Sequence, residues 1–353
     1  MRGRVILGAL PLLAVAFGCS ADRVVSPQLA RVPQVSRAGL PASSAYTATG
    51  YWVEGWFADV NGKNQIVGMA NGRPVSTTWG GGTTPPLYYM ATTPGITGKA
   101  VAVNTHGMIV GAITSNCCMW ADLFPAFWLD QYSYPKVLSD TGEATDVNDM
   151  GHVVGYVMKR GVNRAFFWDV KAGNIELLPP STRGRASLAR AINNDQVILG
   201  EADLGHGMTT VIWRRSGTGW TVKAVTGGIF GLDLDNGTGI VGHTSNTASF
   251  GYPDHAGIFN VLGFSYAQAV SPNASLVAGF DAGAATGWPV STVAFIADRR
   301  GNTTYLPWPV VGTWRDGFGE GVNDCGLVVG TGYPLSSNFQ PFSAQPLVWD
   351  PGC

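Results

Sequence analysis

An eleven-residue pattern recurs seven times beyond residue 45, and it limits the fold more than any other feature of the chain. The copies read ADVNGKNQIVG (58–68), VAVNTHGMIVG (101–111), TDVNDMGHVVG (145–155), RAINNDQVILG (190–200), LDLDNGTGIVG (232–242), AVSPNASLVAG (269–279) and EGVNDCGLVVG (320–330). Their final glycines lie 43, 44, 45, 42, 37 and 51 residues apart. A period near ~40–45 residues is that of propeller blades. In each copy a short apolar stretch ends at Asn or Asp, a tight turn follows, and a Val/Ile run closes on Gly. Asn and Asp bond to their own main chain and start hairpins. The final Gly permits a bulge or a close backbone approach.

A third strand is read at STTW (76–79), AFW (126–128), AFFW (165–168), VIW (211–213), GIF (257–259), AFI (294–296) and LVW (347–349). A fourth follows in most copies, as in NIELLPP (174–180) and TTYLPWP (303–309). The prediction is an all-β chain, a seven-bladed β-propeller of four-stranded antiparallel blades over residues 45–353. The seventh copy has no room for a fourth strand, since only Asp350 to Cys353 follow Trp349. AYTATGYWV (45–53) has strand character and no partner of its own. It is expected to enter the last blade and close the ring, which removes two exposed edges.

The hairpin and third-strand residues resemble the HAF-type extracellular repeats of bacteria, whose pattern is a V-N-x-x-G-x-V-V-G-like hairpin followed by a His-Ala-Phe-x-Trp-like strand. His255, before Ala256 and Phe259, stands near the place of the eponymous histidine. The resemblance covers about residues 55–350. It implies a repeat scaffold in the bacterial envelope without a defined chemistry.

Residues 1–18 read as a signal peptide, with Arg2 and Arg4 ahead of a short apolar stretch. That stretch is below the ~20 residues that span a bilayer. Val15-Ala16-Phe17-Gly18-Cys19-Ser20 resembles a bacterial lipobox, which implies lipidation at Cys19 and a membrane anchor through the N-terminal lipid. Ser20 after the cysteine implies the outer membrane. Residues 19–44, with their prolines, read as a lipidated flexible tether.

Net charge is −1 and charged residues are 13% of the chain, with no basic run, so no nucleic-acid partner is expected. No nucleophile elbow, zinc-binding helix motif or phosphate-binding loop is present. The chain is read as non-enzymatic, without a cofactor, and monomeric. His106 and His152 fall in hairpin turns and are expected to be solvated. Asp59/Asn61, Asp146/Asn148 and Asp233/Asp235 occupy equivalent slots beside the first turn. The last pair resembles part of a calcium loop, but the distal bidentate acid is missing. Turn capping is the expected role, and no metal is predicted.

The irregular segments between second and third strands are rich in aromatics, and loops on a rigid scaffold are where binding concentrates. Trp120, Phe124, Phe250, Tyr252, Trp288, Tyr333 and Phe339, with Trp314 and Arg315 of the last crossover, are the predicted recognition residues. The expected role is a binding module that takes a polysaccharide or an envelope protein. A propeller lyase or hydrolase and a structural envelope lipoprotein are the rivals. Export permits disulfides. Cys325 and Cys353 fall on the turn rim of the last blade and are predicted to pair across a 29-residue loop. Cys117 and Cys118 lie on the opposite face, as a vicinal disulfide or as two thiols.

Overall fold

The computed structural model describes residues 45–81, 84–92, 96–114, 123–180, 184–245, 247–252, 258–263, 265–273, 276–282, 292–310, 313–335 and 343–352. The signal peptide, Cys19 and the tether lie outside these residues, as do Cys117, Cys118, Trp120, His255, Trp288, Phe339 and Cys353.

The described residues form seven four-stranded antiparallel sheets, each built from consecutive strands except the last. This is the seven-bladed propeller that the repeats predict. The innermost strands, in blade order, are Gly55–Val60, Thr97–Val103, Gly142–Val147, Ser187–Ile192, Phe230–Leu234, Ser265–Val270 and Thr313–Val322. The seventh sheet is closed from the other end of the chain: Thr47–Gly50 pairs antiparallel with Gln345–Asp350, in the register Thr47↔Asp350 to Gly50↔Leu347. Across this closure Trp79 Nε1 of the first blade donates to Asp350 Oδ2 at 2.9 Å. Burial is continuous between blades. Each cluster of apolar side chains draws on two neighbouring sheets, as where Phe127 meets Trp168 at 4.7 Å between ring centroids.

The repeat residues have two mechanical roles. The Asn side-chain oxygen accepts the backbone N–H groups two and four residues on, for example Lys63 and Gln65 on Asn61 at 2.9 and 3.0 Å. Its amide then donates to the next blade. Asn61, Asn104, Asn148 and Asn193 reach the carbonyls of Asn104, Asn148, Asn193 and Asp235 at 2.8–3.2 Å, and Asn323 reaches Asn61. Aspartate can cap the turn but has no amide to give, so at Asp235 a different bond, Asn236 N–H to the Pro272 carbonyl, links the blades. The final glycine faces a β-bulge. All seven innermost strands shift register at one equivalent residue: 58, 101, 145, 190, 232, 268 and 320. A β-carbon on Gly68 would collide with the Trp56 carbonyl oxygen, and the other six repeat glycines meet the equivalent carbonyl. The second strand does not stop at this glycine; in the first blade it runs on through Ala70.

Two expectations need correction. In the fifth blade the third strand is Thr247–Gly251 and not GIF at 257–259, which overlaps the fourth strand, Ile258–Gly263. A tight turn at Ser245, held at a positive φ of 52°, replaces the long insertion. His152 is not solvated: it is 9% exposed, packs on Phe167 at 5.0 Å, and burial holds its imidazole below the usual histidine range.

Candidate functional site

The propeller axis holds two cavities that share three carboxylates. Asp59, Asp146 and Asp233 line both, with about 120 Å³ on the side of the Asn turns and about 400 Å³ on the opposite side. Aspartate occupies this column in blades one, three and five, and Ala102, Ala191 and Ala269 occupy it in two, four and six. Each Asp accepts the next N–H of its own strand and one from the following blade's innermost strand. Asp59 takes Val60 and Val103 at 2.7 and 2.9 Å, and Asp146 and Asp233 repeat the pattern. Seven is odd, so the alternation breaks between the last blade and the first. Gly321 stands there, and a β-carbon on it would press on Asp59 Cα at 2.8 Å.

The larger cavity takes its shape from the bulge. A bulge re-aims its residue, and here all seven bulge residues line the channel: Ala58, Val101, Thr145, Arg190, Leu232, Gln268 and Glu320. Two positions further up each innermost strand, and across on the second strands, is the mouth. Its two halves differ in chemistry.

Blades five to seven supply a continuous arc of rings. Phe230 meets His243 at 5.0 Å, His243 meets Tyr266 at 4.6 Å, and Tyr266 stacks on Phe280 at 5.0 Å. Phe280 then meets Phe318 at 4.8 Å, and Phe318 meets Tyr333 at 5.9 Å. All six are half-buried. Trp56 of the first blade extends the wall, sharing a side cavity of about 350 Å³ with Phe318, Glu320 and Tyr333.

Blades two to four supply paired charges. Lys99 Nζ lies 2.7 Å from Glu143, which also accepts the Tyr156 hydroxyl at 3.3 Å. Arg190 Nε donates to Glu201 at 2.6 Å while its guanidinium lies 4.9 Å from the Phe230 centroid. Burial, then the Glu143 charge, pushes the Tyr156 hydroxyl well above its ordinary value.

Beneath this rim the carboxyls have no cationic partner among the described residues. The side chains of Asp59, Asp146 and Asp233 are partly open to the channel yet surrounded by protein. Desolvation raises all three, well above the ordinary range for Asp146 and to about 7 for Asp233. Desolvation likewise carries Glu320 to about 7, against a hydrogen bond from Thr331 at 2.7 Å. Among the described residues no group of three or more His, Cys, Asp or Glu is placed to hold a metal ion.

Of the described residues predicted from aromatic-rich segments, only Tyr333 belongs to this mouth. Trp314 is 3% exposed and packs in the core, its indole fitting where Gly50 and Gly332 leave room. Phe250 is 1% exposed, because its segment is a strand and not a loop, and Tyr252 packs on it edge-on at 5.2 Å. Phe124 is half-buried at the start of the strand Phe124–Trp128, and exposed Arg315 is paired with Asp316 at 2.6 Å. Trp120, Trp288 and Phe339 fall in segments 115–122, 283–291 and 336–342, outside the described residues. The rings that do meet were visible as a column: three residues before Asp59 and its equivalents stand Trp56, Lys99, Glu143, Leu188, Phe230, Tyr266 and Phe318.

No protein-family model matches the chain, and no curated protein matches it. Among solved structures it is similar to TolB from Acinetobacter baumannii (TM-score 0.48, 12% identity), over 72% of this chain and 64% of that one, less than two thirds of its length. It is similar also to a TolB candidate from Agrobacterium tumefaciens (TM-score 0.43, 12% identity), over 72% and 81% of the two chains. A third is an oligogalacturonate lyase from Vibrio parahaemolyticus (TM-score 0.34, 10% identity), over 81% and 74%. With all three scores below 0.5, these likenesses say nothing about what this chain binds.

Proposed function

We propose that the protein is a lipid-anchored binding module of the bacterial envelope that takes a polysaccharide segment at the channel mouth. One observation carries this reading: a six-ring arc faces a rim of hydrogen-bonding side chains across a cavity of about 400 Å³. Sugar rings are amphipathic in the same sense, with apolar C–H faces and hydroxyl edges. A concave site with apolar walls and a few placed polar groups is the usual form of a small-molecule site. Recognition is thereby assigned to the channel mouth in place of the aromatic loops.

The test is a glycan array probed with the full chain. Binding to a defined glycan class supports the reading, and an array without a hit, beside capture of an envelope protein, contradicts it. The address has its own test. Cys19→Ala is expected to move the protein from the membrane fraction to the soluble one, and unchanged fractionation would end the anchor reading.

A second reading, a lyase or hydrolase working from the same mouth, is favoured by Glu320. A carboxyl held at about 7 is poised for general-base work near neutral pH. Shortened products from a bound glycan would select it.

A further inference from the structure

We infer that the ligand of this mouth carries a protonated amine, and that among glycans it is an amino sugar; the glycan half rests on the function proposed above. The charge balance of the site points there. Lys99 and Arg190 on the rim are each engaged by a carboxylate, Glu143 and Glu201, so the rim is neutral in pairs. The channel adds four further carboxyls, Asp59, Asp146, Asp233 and Glu320, and Arg190, the one cationic side chain among the described residues that lines it, is already engaged by Glu201. An anionic chain such as a uronic-acid oligomer meets repulsion in that channel.

The walls agree with the floor. Ring faces attract ammonium groups through their quadrupoles, more strongly where water is thinned. The arc from Phe230 to Tyr333 curves over the side on which Glu320 lies, and Glu320 opens both to the channel and to the side cavity under Phe318 and Tyr333. An ammonium at that junction has an aromatic wall beside it and a carboxylate below it. The three aspartates are spread around a ring and tied to backbone N–H groups, an arrangement unlike the convergent oxygen cage of a bare metal ion.

The experiment titrates the full chain with four probes: a glucosamine tetramer, its fully N-acetylated counterpart, a uronic-acid tetramer, and spermidine as an amine without a sugar. At pH 7, where the amines and the channel carboxyls are both partly charged, the glucosamine tetramer is expected to bind at least about tenfold more tightly than the acetylated one, and the uronic-acid tetramer not at all. Spermidine stays protonated throughout. Its affinity is expected to rise between pH 5.5 and 8, as Glu320 and Asp233, both held near 7, give up their protons. Glu320→Gln keeps an acceptor for Thr331, so it is expected to fold, to weaken spermidine about tenfold at pH 8 and to flatten the pH profile. Equal or tighter binding of the acetylated tetramer overturns the inference and leaves the glycan reading standing. Spermidine binding with no oligosaccharide binding upholds the amine site and ends the glycan reading. Loss of the pH dependence in the wild-type chain overturns the role of the channel carboxyls.

Discussion

Deleting residues 45–53 is expected to lower the melting temperature by about 10 °C, while deleting residues 20–40 leaves it unchanged. The segment supplies the strand Thr47–Gly50, the outer partner of Gln345–Asp350, and no other described strand pairs with that edge. It also brings two tyrosines into the core. Tyr46 and Tyr51 are each 6% exposed, and Tyr51 meets Phe57 of the first blade edge-on at 5.1 Å. Burying an aromatic side chain of this size is worth about 2 kcal/mol or more. With the lost strand pairing, the total is on the order of 5 kcal/mol, which for a domain this large is about 10 °C. Differential scanning calorimetry of the two deletions checks it. Equal melting temperatures would mean that the ring does not depend on this closure.

The fold was legible because a repeat turns weak local signals into one strong pattern. A single V-N-x-x-G hairpin says little, but seven at one period leave few architectures. The same pattern held the reason for its own residues: Asn61 and its equivalents both cap a turn and reach the next blade, and Gly68 and its equivalents yield to a bulge. The closing strand could be inferred from arithmetic, since the seventh blade lacked a fourth strand and residues 45–53 lacked a partner. The third strand of the fifth blade was missed because Thr247–Gly251 carries no Trp, whereas GIF looked like the degenerate motif.

The site was much less legible, for a geometric reason. Aromatic density along the chain points to Phe250 and Trp314, yet neighbours in sequence alternate between core and channel, and both residues turn into the core. The mouth is assembled across the chain, with one or two residues from each blade. Phe230 and Phe318 sit far apart in sequence yet belong to one arc. Reading the aligned copies by column finds that ring.

The second large effect is expected at the mouth. Replacing Tyr266 and Phe280 together by Ala removes the stacked pair at the centre of the arc, whose rings lie 5.0 Å apart at an angle of 21°. Aromatic anchors at the centre of a site carry most of its binding energy, often 2 kcal/mol or more each. The double variant is therefore expected to bind its glycan at least about 100-fold more weakly. Both rings are half-buried, so the cost in stability should stay below the ~3–5 kcal/mol of a fully packed aromatic. Trp314→Ala should behave in the opposite way, losing stability first, because that indole is in the core.

The central claim, that recognition happens at the channel mouth, is tested most directly by one comparison of dissociation constants. The glycan selected on the array is titrated into the wild type, the Tyr266→Ala/Phe280→Ala variant and Trp52→Ala. Trp52 is 59% exposed and lies against Trp314, 6.0 Å away, in a separate groove beside the closing strand. The mouth variant is expected to lose binding with a native circular dichroism spectrum, and Trp52→Ala to bind as the wild type does. Retained affinity in the mouth variant, with affinity lost in Trp52→Ala, would contradict the assignment and place recognition in the tryptophan groove.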